Sequence, residues 1–272
     1  MKKSLKALAA GMMLVASSYA AADVNIGGLT IPTGPIFKVA SIYENVVTAV
    51  GQELKGVGEV TQINGVAISS LCSGCELTYR FGGYTVTSIS PTAITFSGGY
   101  INFYLGFGAA NDFNPFASSG SAADLLAATN GTLFLTLKGH AIDAASNTFA
   151  GTGTNIGLAN PAGSGSGLAD VDKTGLAFGN TVGAGAIANG NFDTNSIAAL
   201  FGGFADIQLG SSFSSVFLPH PSECTPAPSG PECLAGSADF RGLVVPEPDS
   251  LALMGLGIVA LGFKLRRRRA SK

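Results

Sequence analysis

Tryptophan is absent from the 272 residues, and histidine occurs twice, at His140 and His220. The first absence removes the widest flat ring available for stacking a sugar. The second leaves two side chains to carry any imidazole chemistry. His140, in "LKGHAID", follows an expected strand with Asp143 three residues on, and a surface loop accounts for both. His220 lies between Pro219 and Pro221, a turn-like setting. No G-x-S-x-G elbow occurs, and paired carboxylates do not stand out. An exported hydrolase would need folding to bring one histidine to a serine and an acid in one cleft.

Charge is also scarce, at 12% of residues, with a net value of −2. The basic residues crowd into the ends: Lys2, Lys3 and Lys6 at one, and Lys264, Arg266, Arg267, Arg268, Arg269 and Lys272 at the other. Residues 23–245 keep six basic against fifteen acidic side chains, about −9. An acidic, sparsely charged body argues against nucleic acid and anionic lipid as partners.

Long apolar runs are missing too. Ala7 to Ala16 is an apolar stretch behind three lysines, followed by the small-residue patterns Ser18-Tyr19-Ala20 and Ala20-Ala21-Ala22. This is the layout of a secretory signal, with signal peptidase expected to cut between Ala22 and Asp23. At the other end, Leu251 to Phe263 is uncharged. As a helix it reaches roughly 20 Å, short of the ~30 Å hydrocarbon core. Counting from Pro248 to Leu265, with Lys264 snorkelling, extends the reach to about 27 Å. A marginal span results, and Arg266, Arg267, Arg268 and Arg269 act as a stop-transfer block on the cytoplasmic side.

Pro246-Glu247-Pro248, a short apolar helix rich in Leu and Gly, and a terminal arginine block follow in that order. This arrangement resembles the PEP-CTERM sorting signal. The resemblance covers Val245 to Lys272 and implies recognition by an exosortase, a membrane transpeptidase-like enzyme of Gram-negative bacteria that cuts near the triplet. It implies delivery to the cell surface or matrix, and exopolysaccharide and biofilm as the setting. The two prolines fix φ and hold their predecessors extended, which presents Glu247 on an extended strip at the membrane face. A permanent single-span anchor is the competing reading of the same residues.

The body, 23–245, is rich in glycine, and the doublets Gly82-Gly83, Gly98-Gly99 and Gly202-Gly203 sit between apolar flanks. Asn64-Gly65, Asn130-Gly131 and Asn189-Gly190 do likewise. Such pairs supply the positive φ of hairpin turns. Between them, "LTYRF", "YINFYLGF" and "GTLFLTLKG" alternate apolar and polar residues as half-buried strands do. Eight of the 23 aromatics fall between Leu77 and Phe107, which marks the core. A sugar-stacking platform is the alternative reading of those rings. "IFKVASIYENVVTAVGQEL" mixes helical spacing with valines and is read as extended, while "SAADLLAATN" predicts a short helix capped by Ser121 with Asp124 three residues on. From Gly151 to Ser196, 27 of 46 residues are Gly, Ala, Ser or Asn, which predicts a loop or insert that buries little apolar surface.

The four cysteines form two close pairs, Cys72/Cys75 and Cys224/Cys233. Export favours disulfides. Three connectivities are open, and the local one is expected. A thioredoxin-like use of "CSGC" needs a helix after the first cysteine, where "CELTYRF" reads as strand. A zinc site of all four fails on the spacing of the second pair. Asn189, Asn191, Asp193 and Asn195 alternate like calcium ligands, with Asp170 and Asp172 nearby, but the glycine and closing glutamate of an EF-hand are missing. Turn chemistry accounts for the same side chains.

The expectation is therefore an all-β body, an antiparallel β-sandwich or barrel with hairpin turns, one short helix and a glycine-rich loop, flanked by two hydrophobic targeting helices. Three parts are expected: the signal peptide 1–22, the body 23–245 with the tract 151–196, and the sorting signal 246–272. The function expected is that of a non-enzymatic surface or matrix protein without cofactor, sorted by an exosortase and meeting exopolysaccharide. A carbohydrate- or calcium-binding adhesin-like module is the alternative, with an exported hydrolase or thiol oxidoreductase behind it.

Overall fold

The structure is a computed structural model that describes residues 23–215, 220, 223 and 233–246. Both expected targeting helices fall outside the described residues, among which no helix is long and apolar enough to cross a membrane. The chain begins with a small hairpin, β1 (Val24–Ile26) and β2 (Leu29–Ile31), then enters β3 (Gly34–Glu44) and β4 (Glu53–Ile63). A short β5 (Val66–Ala67) and one helical turn, α1 (Ile68–Leu71), lead to the long pair β6 (Cys75–Ser90) and β7 (Ala93–Phe107). Helix α2 (Ser121–Ala127) precedes β8 (Thr132–His140), β9 (Asn147–Thr154) and β10 (Ala162–Val171). The turn α3 (Asn189–Phe192), the hairpin β11 (Ile197–Ala198) and β12 (Phe204–Ala205), β13 (Ile207–Ser214) and β14 (Leu234–Val244) complete the order.

Apart from β8 and β9, each long strand pairs antiparallel with the next long strand in sequence, and β14 returns to β3 in register from Leu234–Glu44 to Val244–Gly34. The result is a closed antiparallel barrel of eight lanes, which decides between the sandwich and barrel alternatives. Closure removes the exposed strand edges that a sandwich must protect. One lane is composite: β7 pairs with β8 along Tyr100–Leu105 and with β9 along Ala93–Ser97. β10 bridges the same two strands from the other side. β8 and β9 are thus one strand interrupted by an excursion at 141–146.

The alternation in the sequence becomes the barrel's inside and outside. Leu77, Tyr79, Phe81, Ile101, Phe103, Leu105, Leu135 and Leu137 all join one buried apolar cluster. An eight-stranded barrel has an interior just wide enough for side chains to fill. Here the Tyr79, Phe103 and Phe240 rings fill it, with centroids 5.5, 5.3 and 5.1 Å apart. Room for them comes from β4: a Cβ on Gly58 would meet the Ser41 carbonyl and the Tyr79 ring. The segment beginning "IFKVASIYE" is strand, as its valines favoured.

Three expectations need correction. The tract 151–196 is not a loose insert, because it supplies β10, a full barrel lane. Its glycines bury little of their own, but they admit rings from neighbouring strands: a Cβ on Gly165 would strike the Phe149 ring, and one on Gly163 the Phe213 ring. The doublets Gly82-Gly83 and Gly98-Gly99 lie inside β6 and β7 rather than at turns. Positive φ at Gly83 and Gly98 reshapes these strands mid-course, and the turn between them falls at Pro91-Thr92. Finally, α2 is preceded by Gly120, not capped by Ser121; the Glu223 carboxylate accepts from the Ser121 N–H and hydroxyl at 3.1 and 2.6 Å. The one expected helix is joined by the single turns α1 and α3.

Candidate functional site

The closing strand runs directly into the terminal triplet. β14 ends its ladder with β3 at Val244, and Pro246 follows two residues later; Glu247 and Pro248 lie outside the described residues. Proline has no N–H to extend the ladder, so pairing stops there for a covalent reason. The intervening Val245 is tied to α3. Its N–H donates to the Asn191 carbonyl at 3.0 Å, and the Asn191 side-chain amide donates to its carbonyl at 2.9 Å. Asn191 is fully buried, and its Oδ1 has no hydrogen-bond partner among the described residues. The next residue, Phe192, packs edge-on to Phe134.

Lys38, on the lumenal face of β3, is 1% exposed and shares register with Phe240. Its ammonium lies 4.2 Å from the Phe192 ring centroid and 5.4 Å from that of Phe103, both within cation–π range. Burial lowers its pKa to about 7. At the far end of β3, Glu44 is buried between two small cavities of about 50 and 40 Å3 that share Leu54, Phe149 and Ser211 as walls. Burial raises its pKa to about 8. The Tyr84 hydroxyl, on a residue that also lines the larger cavity, is buried with no hydrogen-bond partner among the described residues.

Cys72 and Cys75 are joined in a disulfide, with Cα atoms 5.8 Å apart. β6 starts at Cys75, so no helix follows the pair and the arrangement lacks the thioredoxin-type helix N-terminus. Cys233 is disulfide-bonded as well. Cys224, its expected partner, lies outside the described residues, as do Ala22 and the expected stop-transfer residues Arg266 to Arg269. Asp23 is the first described residue and is exposed.

Folding does bring a histidine to a serine and an acid. His220 Nε2 lies 2.8 Å from Ser118 Oγ and 2.9 Å from Asp124 Oδ2. Both contacts fall on the same nitrogen, whereas a serine relay needs the acid on one ring nitrogen and the hydroxyl on the other. The group instead fastens the segment containing His220 and Glu223 to α2. His140 joins two other elements: Nδ1 meets the Asp170 carboxylate at 2.9 and 3.0 Å, and Nε2 meets the Phe201 carbonyl at 2.9 Å. It therefore pins the β11–β12 hairpin to the barrel wall. Asp143, the neighbour expected to share its loop, accepts from the backbone of Ala145 and Asn147.

The residues that alternated like calcium ligands are dispersed into separate contacts. Asn189 accepts from the Thr136 N–H at 3.0 Å and donates to its hydroxyl at 2.8 Å. Asp193 pairs with Lys173, and Asp172 accepts from Thr174 and Ala177. Asn195 adopts a left-handed turn, with φ 47°. Among the described residues, no group of three or more His, Cys, Asp or Glu is placed to hold a metal ion.

Lys38 and Glu44 did not stand out in the sequence, and Asn191 stood out only as a calcium-type ligand. Lys38 was detectable: in "IFKVASIYE" it falls on the same parity as Ile36, Ala40 and Ile42. Asn191 was hidden inside the calcium-like alternation, and its partner lies 54 positions away.

Residues 244–269 match the family model described as the PEP-CTERM protein-sorting motif. The chain thus carries that signal, and the match begins at the residue where the barrel's closing ladder ends. Neither a curated protein nor a solved structure matches the chain.

Proposed function

We propose that this is an exported, non-enzymatic barrel protein of the cell surface or extracellular matrix, sorted by an exosortase that cuts near Pro246-Glu247-Pro248. One observation carries the reading: the sorting motif starts where the closed barrel stops. A cut at the triplet leaves every barrel strand, β3 through β14, on the released side. The precursor crosses the inner membrane by its amino-terminal signal and is held as a single-pass intermediate by 251–263 and the arginines behind it. Signal peptidase removes 1–22.

The non-enzymatic part rests on how the candidate catalytic and calcium-type side chains are employed. His140 and His220 each fasten one element of the fold to another, Asp172 closes its own local turn, and Asp193 pairs with Lys173. The partner at the destination is the exopolysaccharide matrix, in line with an acidic, sparsely charged exterior.

The test is the intact mass of the surface form in an exosortase-bearing host. The wild-type product is expected to end near Pro246 and to lack Arg266 to Arg269. Replacing Pro246, Glu247 and Pro248 with alanine is expected to leave the tail attached and the protein in the membrane. A wild-type surface form with its tail intact overturns the proposal.

A further inference from the structure

An open cleft of about 880 Å3 lies on the barrel's outer side, bounded by β6, β7, the excursion after β8 and the turn Ala177–Gly179. Its walls include Glu53, Arg80, Tyr100, Ser146 and Phe178. Backbone strain collects at this cleft. Among the described residues, six non-glycine residues have positive φ, and four are Asn, which adopts that conformation readily. The other two, Ser146 at φ 60° and Phe178 at φ 53°, both line the cleft. A bulky aromatic residue persists there only because its surroundings force it, and such outliers gather at ligand sites.

The surroundings are two glycines. A Cβ on Gly83 would lie 2.5 Å from the Phe178 carbonyl, and one on Gly98 would lie 3.4 Å from Phe178 Cδ1. The ring therefore sits against bare backbone on one side, and Phe178 stays 49% exposed on the other. The mid-strand doublets and the strained aromatic act together to build a seat with an open aromatic face.

The polar groups beside that seat select the ligand. Arg80 lies next to Tyr100 and opposes the burial that raises its hydroxyl. Glu53 is exposed, and its Oε1 accepts from the Gly83 N–H at 2.6 Å. One cation and one anion leave the cleft without net charge, and Thr85, Ser97 and Ser146 add hydroxyls. A phosphate or other anion would meet Glu53 and an acidic body. A neutral polyol with one apolar C–H face suits both the open ring and the mixed donors and acceptors. We propose that this cleft binds a neutral oligosaccharide, stacked on Phe178 and hydrogen-bonded by Arg80 and Glu53.

The site is independent of the sorting signal, so a failure of either reading leaves the other standing. The full-length chain, held in a detergent without a sugar headgroup, is titrated with maltotriose, cellotriose, mannotriose and trigalacturonate. Calorimetry and tyrosine fluorescence report binding. At least one neutral trisaccharide is expected to bind, with Phe178→Ala weakening it about fivefold or more and Phe178→Tyr retaining it. Arg80→Gln is expected to weaken it as well, while circular dichroism shows both variants folded. The proposal is overturned by binding of trigalacturonate alone, by no binding of any neutral probe, or by a folded Phe178→Ala that binds like wild type.

Discussion

Asn191 and the Val245 backbone form a two-bond ring: the Asn191 side-chain amide donates to the Val245 carbonyl at 2.9 Å, and the Val245 N–H donates to the Asn191 backbone carbonyl at 3.0 Å. Through it α3 holds the last residue before the sorting triplet. Asn191→Ala removes the side-chain donor and leaves the Val245 carbonyl without that partner, at a cost of about 1–2 kcal/mol. Hydrogen exchange at the Val245 amide is expected to speed up, and exosortase processing with it, since a frayed stem enters an active site more readily. Asn191→Asp, which lacks the donor, should behave like the alanine variant. Unchanged exchange at Val245 in both would show that the ring does not restrain the stem.

Two lumenal charges on β3 give stability a pH dependence of opposite sign. Burial raises Glu44 from 4.5 to about 8, so between those values the folded state binds the proton that the unfolded state has released. Stability contributed by the neutral acid is therefore complete below pH 4.5 and is lost as pH rises through about 8. Lys38 is lowered from 10.5 to about 7, so the unfolded state binds more protons between those values, and stability rises over that window. Each slope is at most about 1.4 kcal/mol per pH unit. Urea midpoints across pH 5–10 should show Glu44→Gln flattening the lower limb and Lys38→Met the upper. Parallel profiles for wild type and both variants would place these groups outside the linkage.

How much of this was legible depends on how local the governing interaction is. The sorting signal was readable because its triplet, apolar stretch and arginine block follow one another in consecutive residues, whatever the barrel does. Inward and outward faces of β6 and β7 were readable because pleating alternates side chains whatever lies opposite. Barrel closure was not, since the β14–β3 ladder joins residues as far apart as Gly34 and Val244. The glycines of β10 read as disorder because their use is set by Phe149 and Phe213, rings on other strands. Likewise, Gly82-Gly83 and Gly98-Gly99 looked like turns because positive φ marks both a turn and a mid-strand bend, and only strand length separates the two. Phe178, the strained ring of the outer cleft, carries no signal of its own in sequence.

The dependence on bare backbone can be tested at Gly58. Its hydrogen faces the Ser41 carbonyl and the Tyr79 ring, and the Tyr79 hydroxyl donates to that same carbonyl at 2.6 Å. A methyl group there forces the β3–β4 ladder apart or pushes Tyr79 out of the ring cluster. Gly58→Ala is expected to cost about 1–3 kcal/mol, the range for overpacking a filled core. The matched control, Gly51→Ala, has open space around its Cβ but a φ of 87°, so its cost is conformational alone. Equal losses for the two in chemical denaturation would mean that close approach is not what β4 requires of Gly58.

Phe178 offers the reverse experiment, a substitution expected to help. At φ 53°, ψ 38° the residue is left-handed, a conformation costing an aromatic side chain on the order of 1–3 kcal/mol. Asparagine tolerates it far better. The ring is half exposed, so Phe178→Asn forfeits only part of its packing, on the order of 1 kcal/mol. Thermal stability of Phe178→Asn is therefore expected to equal or exceed wild type, although the same change abolishes the stacking surface. Stability gained together with saccharide binding lost is the signature of strain retained for a ligand. A clear fall in melting temperature would instead assign the ring to ordinary packing over Gly98, and would remove the strain argument from the cleft.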